Sequence, residues 1–345
     1  MRYPEFIKPG DRIGFIAPSF GCATEPYVSC FNAAIERFGA TGFRTVCGPN
    51  CFAAEGVGKS STPEKCGAEI NEFLTSDDIS AVISCGGGET MCEDLPYVDF
   101  GAIRDSKPKW FMGYSDNTNL TFTLPLLCDT AAVYGPNAPA FGARTLHTSL
   151  NDALSILRGD KLTVESYPLW ERESLKSEED PFAPYNLTEP NGTFAVSGDG
   201  SRGKPVHFSG RLIGGCLDSL INLAGTPWGN AAAFAEKYAS DGIIWFVEAC
   251  DLLTMGIRRA LWQLHSAGWF RHVSGFIVGR PYEIDDRFGS EGPQEAVLAA
   301  LGDLGVPVVL DADLGHLPPS MPLISGACAD VSCTDGMMSV KHYLT

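Results

Sequence analysis

The segment KWFMGYSDNTNLTF, residues 109–122, joins an apolar run to a polar, helix-like run through one serine. The apolar residues of its first part are nearly continuous, as in a strand that is buried on both faces of a sheet. Gly113 and Tyr114 precede Ser115, and the helix-like DNTNLTFTLPLL begins at Asp116. The segment therefore predicts a strand, a sharp turn at Ser115 and a helix, which is the repeating unit of an α/β fold.

Apolar strands and helices alternate in the same way through the first half of the chain. The other strand-like runs are RIGFIAP, FRTVCGP, ISAVISCGGG and AAVYGP, and the runs PYVSCFNAAIERFGA and PEKCGAEINEFL between them are helix-like. Buried strands that alternate with helices predict a parallel sheet that is covered on both faces. Open sheets of this kind hold their functional sites at polar turns after the strands.

The composition changes after the helix-like SLNDALSILRG. Residues 160–210 are rich in Pro, Gly, Ser and acidic residues, and a stretch of this length without clear periodicity is uncommon inside a domain unless it has a function. Strand-like and helix-like runs return from GRLIGG onward, and Thr-Asp-Gly near the end predicts a β-hairpin. We therefore predict an N-terminal α/β domain over 1–160, a connecting segment and candidate substrate loop over 161–209, and a C-terminal domain over 210–345.

The composition of the 345 residues excludes several classes of protein. With 44% hydrophobic and 19% charged residues the chain is typical of a globular protein, and its net charge of −17 argues against binding to nucleic acid polymers or anionic membranes. The N-terminus has no basic start followed by an apolar core, and runs such as GIIWFVEA are too short to span a bilayer. We therefore predict a cytoplasmic protein.

Twelve cysteines raise the question of a metal site or disulfides. They form no CxxC pair, and no histidines lie near them at zinc-finger spacing. Free and mostly buried thiols, with no metal, are the favoured interpretation.

Ser115 has two interpretations. A sharp strand-to-helix turn would present its hydroxyl as a nucleophile and aim the backbone N–H of Asp116 at the same space. GYSDN differs from the GxSxG pattern of such turns, and a helix cap by Ser115 or Asp116 is the more common role of these residue types. Spacing alone therefore favours the cap.

A nucleophilic serine also needs an oxyanion hole and a base. The glycines of CGGGET, residues 85–90, let backbone amides approach a ligand closely, although a phosphate-binding turn or an ordinary strand exit has the same pattern. Among six histidines, His316 lies on a Gly- and Pro-rich turn just after an apolar strand. Glu248 ends the strand-like IIWFVEA, where it would orient the imidazole or, equally, form an ion pair or a cap.

These motifs and their order resemble the LD-carboxypeptidase family of serine peptidases, which includes the microcin C immunity peptidases. The resemblance runs over nearly the whole chain and is carried by RIGFIAPS, ISAVISCGGGE, PKWFMGYSDNTNL, YGP, GRLIGGCLDSLINLAGTP, IIWFVEACD and LDADLGHLPPSMPLISG. It implies a Ser115–His316–Glu248 triad and oxyanion amides at Gly87 and Asp116. It also implies a flavodoxin-like N-terminal domain, a smaller β-rich α+β C-terminal domain, a homodimer and no cofactor.

The glycine turn separates two branches of that family. Members that recycle muropeptides have a turn like RGGYG, whereas CGGGET, the PYVDF downstream and the long acidic segment are more similar to the microcin immunity branch. That branch hydrolyses the amide between an aminoacyl or peptidyl group and a nucleotide, and an aromatic residue stacks on its base. Trp170 is the candidate for this stacking, with a packing or exposed tryptophan as the alternative. We place Gly88, Glu89 and Asn117 with Trp170 in the predicted substrate-binding set.

We therefore predict a serine carboxypeptidase-type hydrolase. Its substrate is either a small peptidyl or aminoacyl nucleotide, as in microcin C, or the L,D-peptide bond of a murein tetrapeptide. The alternatives are a non-catalytic binder of small ligands or peptides on the same fold, and a cysteine hydrolase using Cys85, which precedes the glycine turn and is expected to point into the sheet.

Overall fold

The computed structural model describes residues 1–283 and 292–345. The chain forms two compact units. The first unit consists of Met1–Lys161 and Glu173–Asn186, and the second unit consists of Leu162–Arg172 and Leu187–Thr345.

The first unit contains a parallel sheet with helices in the connections between its strands. Its strands are β1 (Arg12–Ile16), β2 (Arg44–Cys47), β3 (Ala81–Ser84), β4 (Trp110–Gly113) and β5 (Ala132–Tyr134), and its helices are α1 (Tyr27–Ala40), α2 (Pro63–Thr75), α3 (Phe100–Asp105), α4 (Thr118–Thr121), α5 (Thr123–Cys128) and α6 (Thr148–Arg158). The strands are ordered β2-β1-β3-β4-β5 and all of these pairs are parallel. This is the flavodoxin-like order, so the predicted fold class is confirmed.

The continuous apolar runs become strands because both of their faces are covered. Every residue of β3, β4 and β5 is buried. Helix α1 covers β1 with apolar residues spaced three and four apart, and Phe15 of β1 packs edge-on against Phe31 and Phe38 with ring centroids 5.3 and 5.5 Å away. The carboxyl ends of these strands therefore belong to a rigid core.

The second unit contains a mixed sheet of eight strands. The strands of the unit are β6 (Thr163–Glu165), β7 (Leu169–Glu171), β8 (Leu187–Pro190), β9 (Phe194–Val196), β10 (Val206–Cys216), β11 (Ile243–Glu248), β12 (Val273–Gly279), β13 (Val308–Ala312), β14 (Leu323–Ser325), β15 (Cys328–Thr334) and β16 (Met337–Tyr343), and its helices are α7 (Leu217–Leu223), α8 (Ala231–Lys237), α9 (Thr254–Ser266) and α10 (Pro293–Leu301). The sheet order is β6-β16-β15-β10-β11-β12-β13-β9, parallel from β10 to β13 and antiparallel elsewhere. Strands β7 and β8 form a separate antiparallel pair, which we call the β7–β8 hairpin.

The terminal hairpin is confirmed, with β15 and β16 joined at Asp335-Gly336, both in the left-handed region. The stretch of unclear periodicity at 161–209 holds four short strands, β6 to β9, which contact the edges of the sheet or each other. Strands of three or four residues are too short to show an alternating pattern in the sequence.

All twelve cysteines are free thiols, and eight of them are buried. Cys85 is among the buried ones, and burial raises its pKa well above the usual value for a thiol. The described residues hold no cluster of three or more His, Cys, Asp or Glu side chains suited to a metal ion. Among the helices of residues 1–283 and 292–345, none combines the length and the hydropathy needed to cross a membrane.

Candidate active site

Ser115 lies in a strained turn directly after β4. It begins the 3₁₀ turn Ser115–Asn117 with a φ of +64°, in the left-handed region that residues with a Cβ avoid. Its backbone N–H donates to the Tyr134 hydroxyl at 3.2 Å. The N-cap positions of this turn and of α4 are Tyr114 and Asn117, so neither Ser115 nor Asp116 occupies a helix N-cap position. The turn has the backbone strain of a nucleophile elbow.

The glycine turn after β3 packs against this serine. A Cβ built on Gly87 would lie 2.9 Å from both Cβ and Oγ of Ser115, so only glycine fits there. Gly88 has a φ of +149°, and a Cβ on it would collide with the hydroxyl of Ser19. The absence of a side chain at Gly87 thus brings backbone close to the serine hydroxyl, and the absence of one at Gly88 leaves room for Ser19.

The Asp116 carboxyl joins the loops that follow three strands. It is buried, and its Oδ2 accepts hydrogen bonds from Ser19 Oγ at 2.5 Å and from the backbone N–H of Met91 at 2.9 Å. Its Oδ1 accepts from Asn119 Nδ2 at 2.9 Å. Burial raises the pKa of Asp116, and these hydrogen bonds oppose the shift. The side chain thus fixes the loops after β1, β3 and β4 around the serine.

Two other predicted binding residues differ in exposure. Asn117 is completely buried, and its Nδ2 donates to Gly86 O at 2.7 Å, Tyr114 O at 3.0 Å and Asn137 Oδ1 at 3.3 Å. Glu89 is exposed on the glycine turn. The contacts of Asn117 tie the serine turn to the glycine turn.

Glu248 and His316 form a pair within the second unit. Glu248 is the last residue of β11 and is buried, and its Oε2 accepts a hydrogen bond from His316 Nδ1 at 2.8 Å. A carboxylate at Nδ1 holds the proton there, so this imidazole can exchange a proton with a substrate through Nε2. The pair therefore has the geometry of a general base and its orienting acid.

Two glycines make room for that pair. Gly315, with a φ of +107°, would place a Cβ 2.6 Å from Glu248 Oε2. A Cβ on Gly279 would lie 2.9 Å from Glu248 Cβ. Because both neighbours lack side chains, the carboxylate can be buried directly against the turn that carries His316.

Sequence reasoning missed several residues around the pair. Burial raises the pKa of the Cys250 thiol and the neighbouring His316 opposes the shift, and the Tyr282 ring lies edge-on to the imidazole at 6.5 Å between centroids. Asp218 holds the loop after β11 by accepting from the backbone N–H groups of Cys250 at 3.0 Å and Asp251 at 3.1 Å. Cys250 and Asp251 follow Glu248 closely in sequence. This closeness was the one feature of the sequence that could have placed them near the pair.

Trp170 lies on β7 in the second unit. Its indole Nε1 donates to Pro190 O at 2.9 Å, and the guanidinium carbon of Arg280 lies 5.0 Å from its ring centroid. The side chain is half-buried. One aromatic surface of Trp170 is therefore packed on a cation that sequence reasoning did not identify.

Serine hydrolases need a serine presented on a sharp turn near amide donors, and an imidazole whose tautomer is fixed by a carboxylate. The first unit supplies a serine of this kind and the second unit supplies such an imidazole. Fold and residue types together define this class of enzyme.

Comparison with known proteins gives the family. Residues 13–135 match the LD-carboxypeptidase N-terminal domain, and residues 209–331 match the LD-carboxypeptidase C-terminal domain. The chain belongs to the LD-carboxypeptidase family and is a serine peptidase, as the resemblance predicted.

Several relatives match along more than nine-tenths of their length. The microcin C7 self-immunity protein MccF of Escherichia coli is 28% identical over 98% of this chain and 96% of its own. A putative carboxypeptidase of Vibrio cholerae is 26% identical over 93% and 92%. A solved structure of an MccF mutant in complex with adenosine monophosphate has a TM-score of 0.81 and 25% identity, and covers 99% of this chain and 98% of that one.

Proposed function

We propose that the protein hydrolyses an amide bond with a Ser115–His316–Glu248 triad. His316 takes the proton of the Ser115 hydroxyl through Nε2 while Oγ attacks the amide carbonyl. The backbone amides of Gly87 and Asp116 donate to the oxyanion of the tetrahedral intermediate. The C–N bond then breaks, His316 protonates the leaving amine, and water activated by His316 releases the acyl group as a carboxylate.

The 2.8 Å hydrogen bond between Glu248 Oε2 and His316 Nδ1 carries this proposal. Burial of a glutamate carboxylate costs free energy unless the carboxylate is paired. Buried pairs of ionisable groups such as this one are concentrated at functional sites. The left-handed φ of Ser115 supports the same interpretation, because strain of this kind is concentrated at functional residues.

For the substrate, we propose an aminoacyl or peptidyl nucleotide of the microcin C type. The similarity to MccF over the whole chain supports it, and so does the adenosine monophosphate bound in the MccF structure. Trp170 is the proposed stacking residue for the base, and Gly88, Glu89 and Asn117 belong to the proposed binding set. The second candidate is a murein tetrapeptide, which the family's LD-carboxypeptidase name and the Vibrio relative support.

Hydrolysis of two substrates by the purified protein tests the proposal. An aminoacyl-sulfamoyl adenosine and a murein tetrapeptide are compared, with Ser115→Ala and His316→Gln as inactive controls. Faster cleavage of the nucleotide supports the microcin-type substrate, and release of D-alanine alone supports the second candidate. Full hydrolysis by Ser115→Ala contradicts the triad.

Covalent labelling separates an enzyme from a non-catalytic binder on the same fold. A fluorophosphonate probe should modify Ser115 in the wild type and leave Ser115→Ala unmodified. Ligand binding without labelling or turnover would favour the binder.

The homodimer and the cytoplasmic location stay predictions. Sedimentation of the purified protein tests whether it is a homodimer.

A further inference from the structure

A buried ion pair lies on the segments beside the His316 turn. Arg280 directly follows β12, and Asp313 lies three residues before His316; their exposed fractions are 5% and 0%. Arg280 Nη2 donates to Asp313 Oδ1 at 2.5 Å, and its Nη1 donates to the backbone oxygen of Asp311 at 3.0 Å. The guanidinium therefore bridges the end of β12 and the chain that leads to His316.

Asp313 is hydrogen-bonded to the segment that follows the His316 turn and to residues at both ends of the β7–β8 hairpin. Its Oδ2 accepts from the backbone N–H of Tyr167 at 2.7 Å and, more weakly, from Asn191 Nδ2 at 3.5 Å. Its backbone oxygen accepts from the N–H of Met321 at 2.7 Å. Tyr167 and Asn191 flank the β7–β8 hairpin, so one carboxylate connects that hairpin to the turn.

Trp170 contacts the same ion pair through Arg280. The Arg280 guanidinium that pairs with Asp313 also lies against the Trp170 ring, at 5.0 Å from the centroid. The next residue, Glu171, donates its backbone N–H to Pro318 O at 2.7 Å, two residues after His316. The hairpin that carries Trp170 is thus hydrogen-bonded to the turn that carries His316 at both ends of that turn.

We propose that Arg280 and Asp313 are positioning residues that set the Trp170 hairpin and the His316 turn in one arrangement. The side chain proposed to stack on the substrate base and the proposed general base are then oriented by the same ion pair. This inference rests on the proposed function of those two residues. The planar guanidinium donates through two nitrogens to Asp313 and Asp311 while its face lies on Trp170, and lysine has neither the planar fork nor the planar face.

Single substitutions alone do not separate positioning from folding. Removal of one member leaves the other charge buried without its partner, which destabilises proteins strongly, whereas replacement of both by apolar residues of similar volume is often tolerated. The variants are therefore Arg280→Lys and the double variant Arg280→Met/Asp313→Leu. Arg211 offers a matched control in the same unit, because it pairs with Asp241 at 2.6 Å and lies on the Tyr238 ring at 4.1 Å.

The test measures KM and kcat for the nucleotide substrate, the rate of fluorophosphonate labelling of Ser115, and Tm. We expect the double variant to fold with a lower Tm than the wild type, because the backbone N–H of Tyr167 also loses its acceptor. Its KM should be raised and its labelling rate lowered by about 10- to 100-fold, as small misplacements of catalytic groups cause. Arg211→Lys should lower Tm and leave KM and labelling unchanged. Wild-type KM and labelling in a double variant that is folded at the assay temperature overturn the inference.

A cycle with Trp170 tests the connection whatever the double variant does to stability. In wild-type background Arg280→Lys should raise KM, and in a Trp170→Ala background it should raise KM no further while still slowing labelling. Independent, additive effects on KM contradict the inference. If the wild type cleaves neither substrate, the proposed function fails. In that case binding of adenosine monophosphate still measures the orientation of Trp170, and the labelling rate still measures that of His316.

Discussion

At the scale of single residues, Ser115 combines a strained backbone conformation with the proposed role of nucleophile. A residue other than glycine in the left-handed region is strained by roughly 1–2 kcal/mol. We expect Ser115→Gly to unfold at a higher temperature than Ser115→Ala, because glycine removes the strained Cβ, and both variants to lack activity. Calorimetry of the two proteins checks this order.

The control for that comparison is Ser155 in α6. A glycine inside a helix is about 1 kcal/mol less stable than alanine, so Ser155→Gly should unfold at a lower temperature than Ser155→Ala. The same order at both serines would show that the turn at Ser115 stores no strain.

Gly87 is the second residue of interest, because its closeness to Ser115 leaves no room for a side chain. A Cβ there would lie 2.9 Å from Ser115 Oγ, so Gly87→Ala must displace the serine or the glycine turn. We expect a loss of activity on the order of 100-fold or more, the cost of losing an oxyanion donor. Steady-state kinetics measure it, with Gly39→Ala as control because a Cβ at Gly39 meets no atom within 4 Å. Equal activity of the two variants contradicts the role assigned to the glycine turn.

At the scale of elements, the Asp116 carboxyl determines how the loops after β1, β3 and β4 meet. Both of its oxygens face donors, with Met91 N on one side and Asn119 Nδ2 on the other. Asparagine at this position would turn its own NH₂ toward one of these donors in either orientation. We therefore expect Asp116→Asn to lose about 1–3 kcal/mol of stability and to slow hydrolysis, since the loops shift.

The matched variant for that prediction is Ser19→Ala. It removes only one donor to the same carboxyl and leaves no buried donor facing another, so its effects should be smaller. Urea unfolding and kcat measure both variants. Wild-type kcat in a destabilised Asp116→Asn would show that these loops do not orient the serine.

The elements that could be predicted from sequence are those with a local pattern. The long apolar runs of β1, β3 and β4 and the amphipathic α1 were identified from their own residues. Strands β6 to β9 were not identified. They are about as short as β3 and β4, but polar residues interrupt or flank them, so no continuous apolar run marks them.

The candidate site shows the same division. Ser115 and His316 follow apolar strands and Glu248 ends one, which made them candidates, and the family resemblance implied the triad; the Glu248–His316 contact is present. Arg280 and Asp313 were not recognised. Their partners Trp170 and Tyr167 lie more than 100 positions away, and such partners are set by the fold.

At the scale of the whole molecule, burial of acids links stability to pH. Asp94 has an exposed fraction of 2%, and burial raises its pKa to about 8 even though the charge of Lys59 opposes the shift. Burial likewise raises the pKa of Glu69 to about 7. The folded state keeps protons on these carboxyls that the unfolded chain releases near pH 4. The stabilisation they give is therefore complete below about pH 4 and is lost as the pH rises toward 8.

Asp94→Asn tests this linkage, because asparagine keeps the shape of the neutral acid and does not ionise. Asp94 lowers the free energy of unfolding by up to about 1.4 kcal/mol for each pH unit between its unfolded and folded pKa values. We expect Tm to fall less steeply from pH 5 to pH 8 in the variant than in the wild type, with part of the slope remaining through Glu69. Calorimetry across that range measures the slopes, and the exposed Asp160→Asn serves as the control. Parallel slopes in all three proteins would mean that Asp94 is ionised in the folded state.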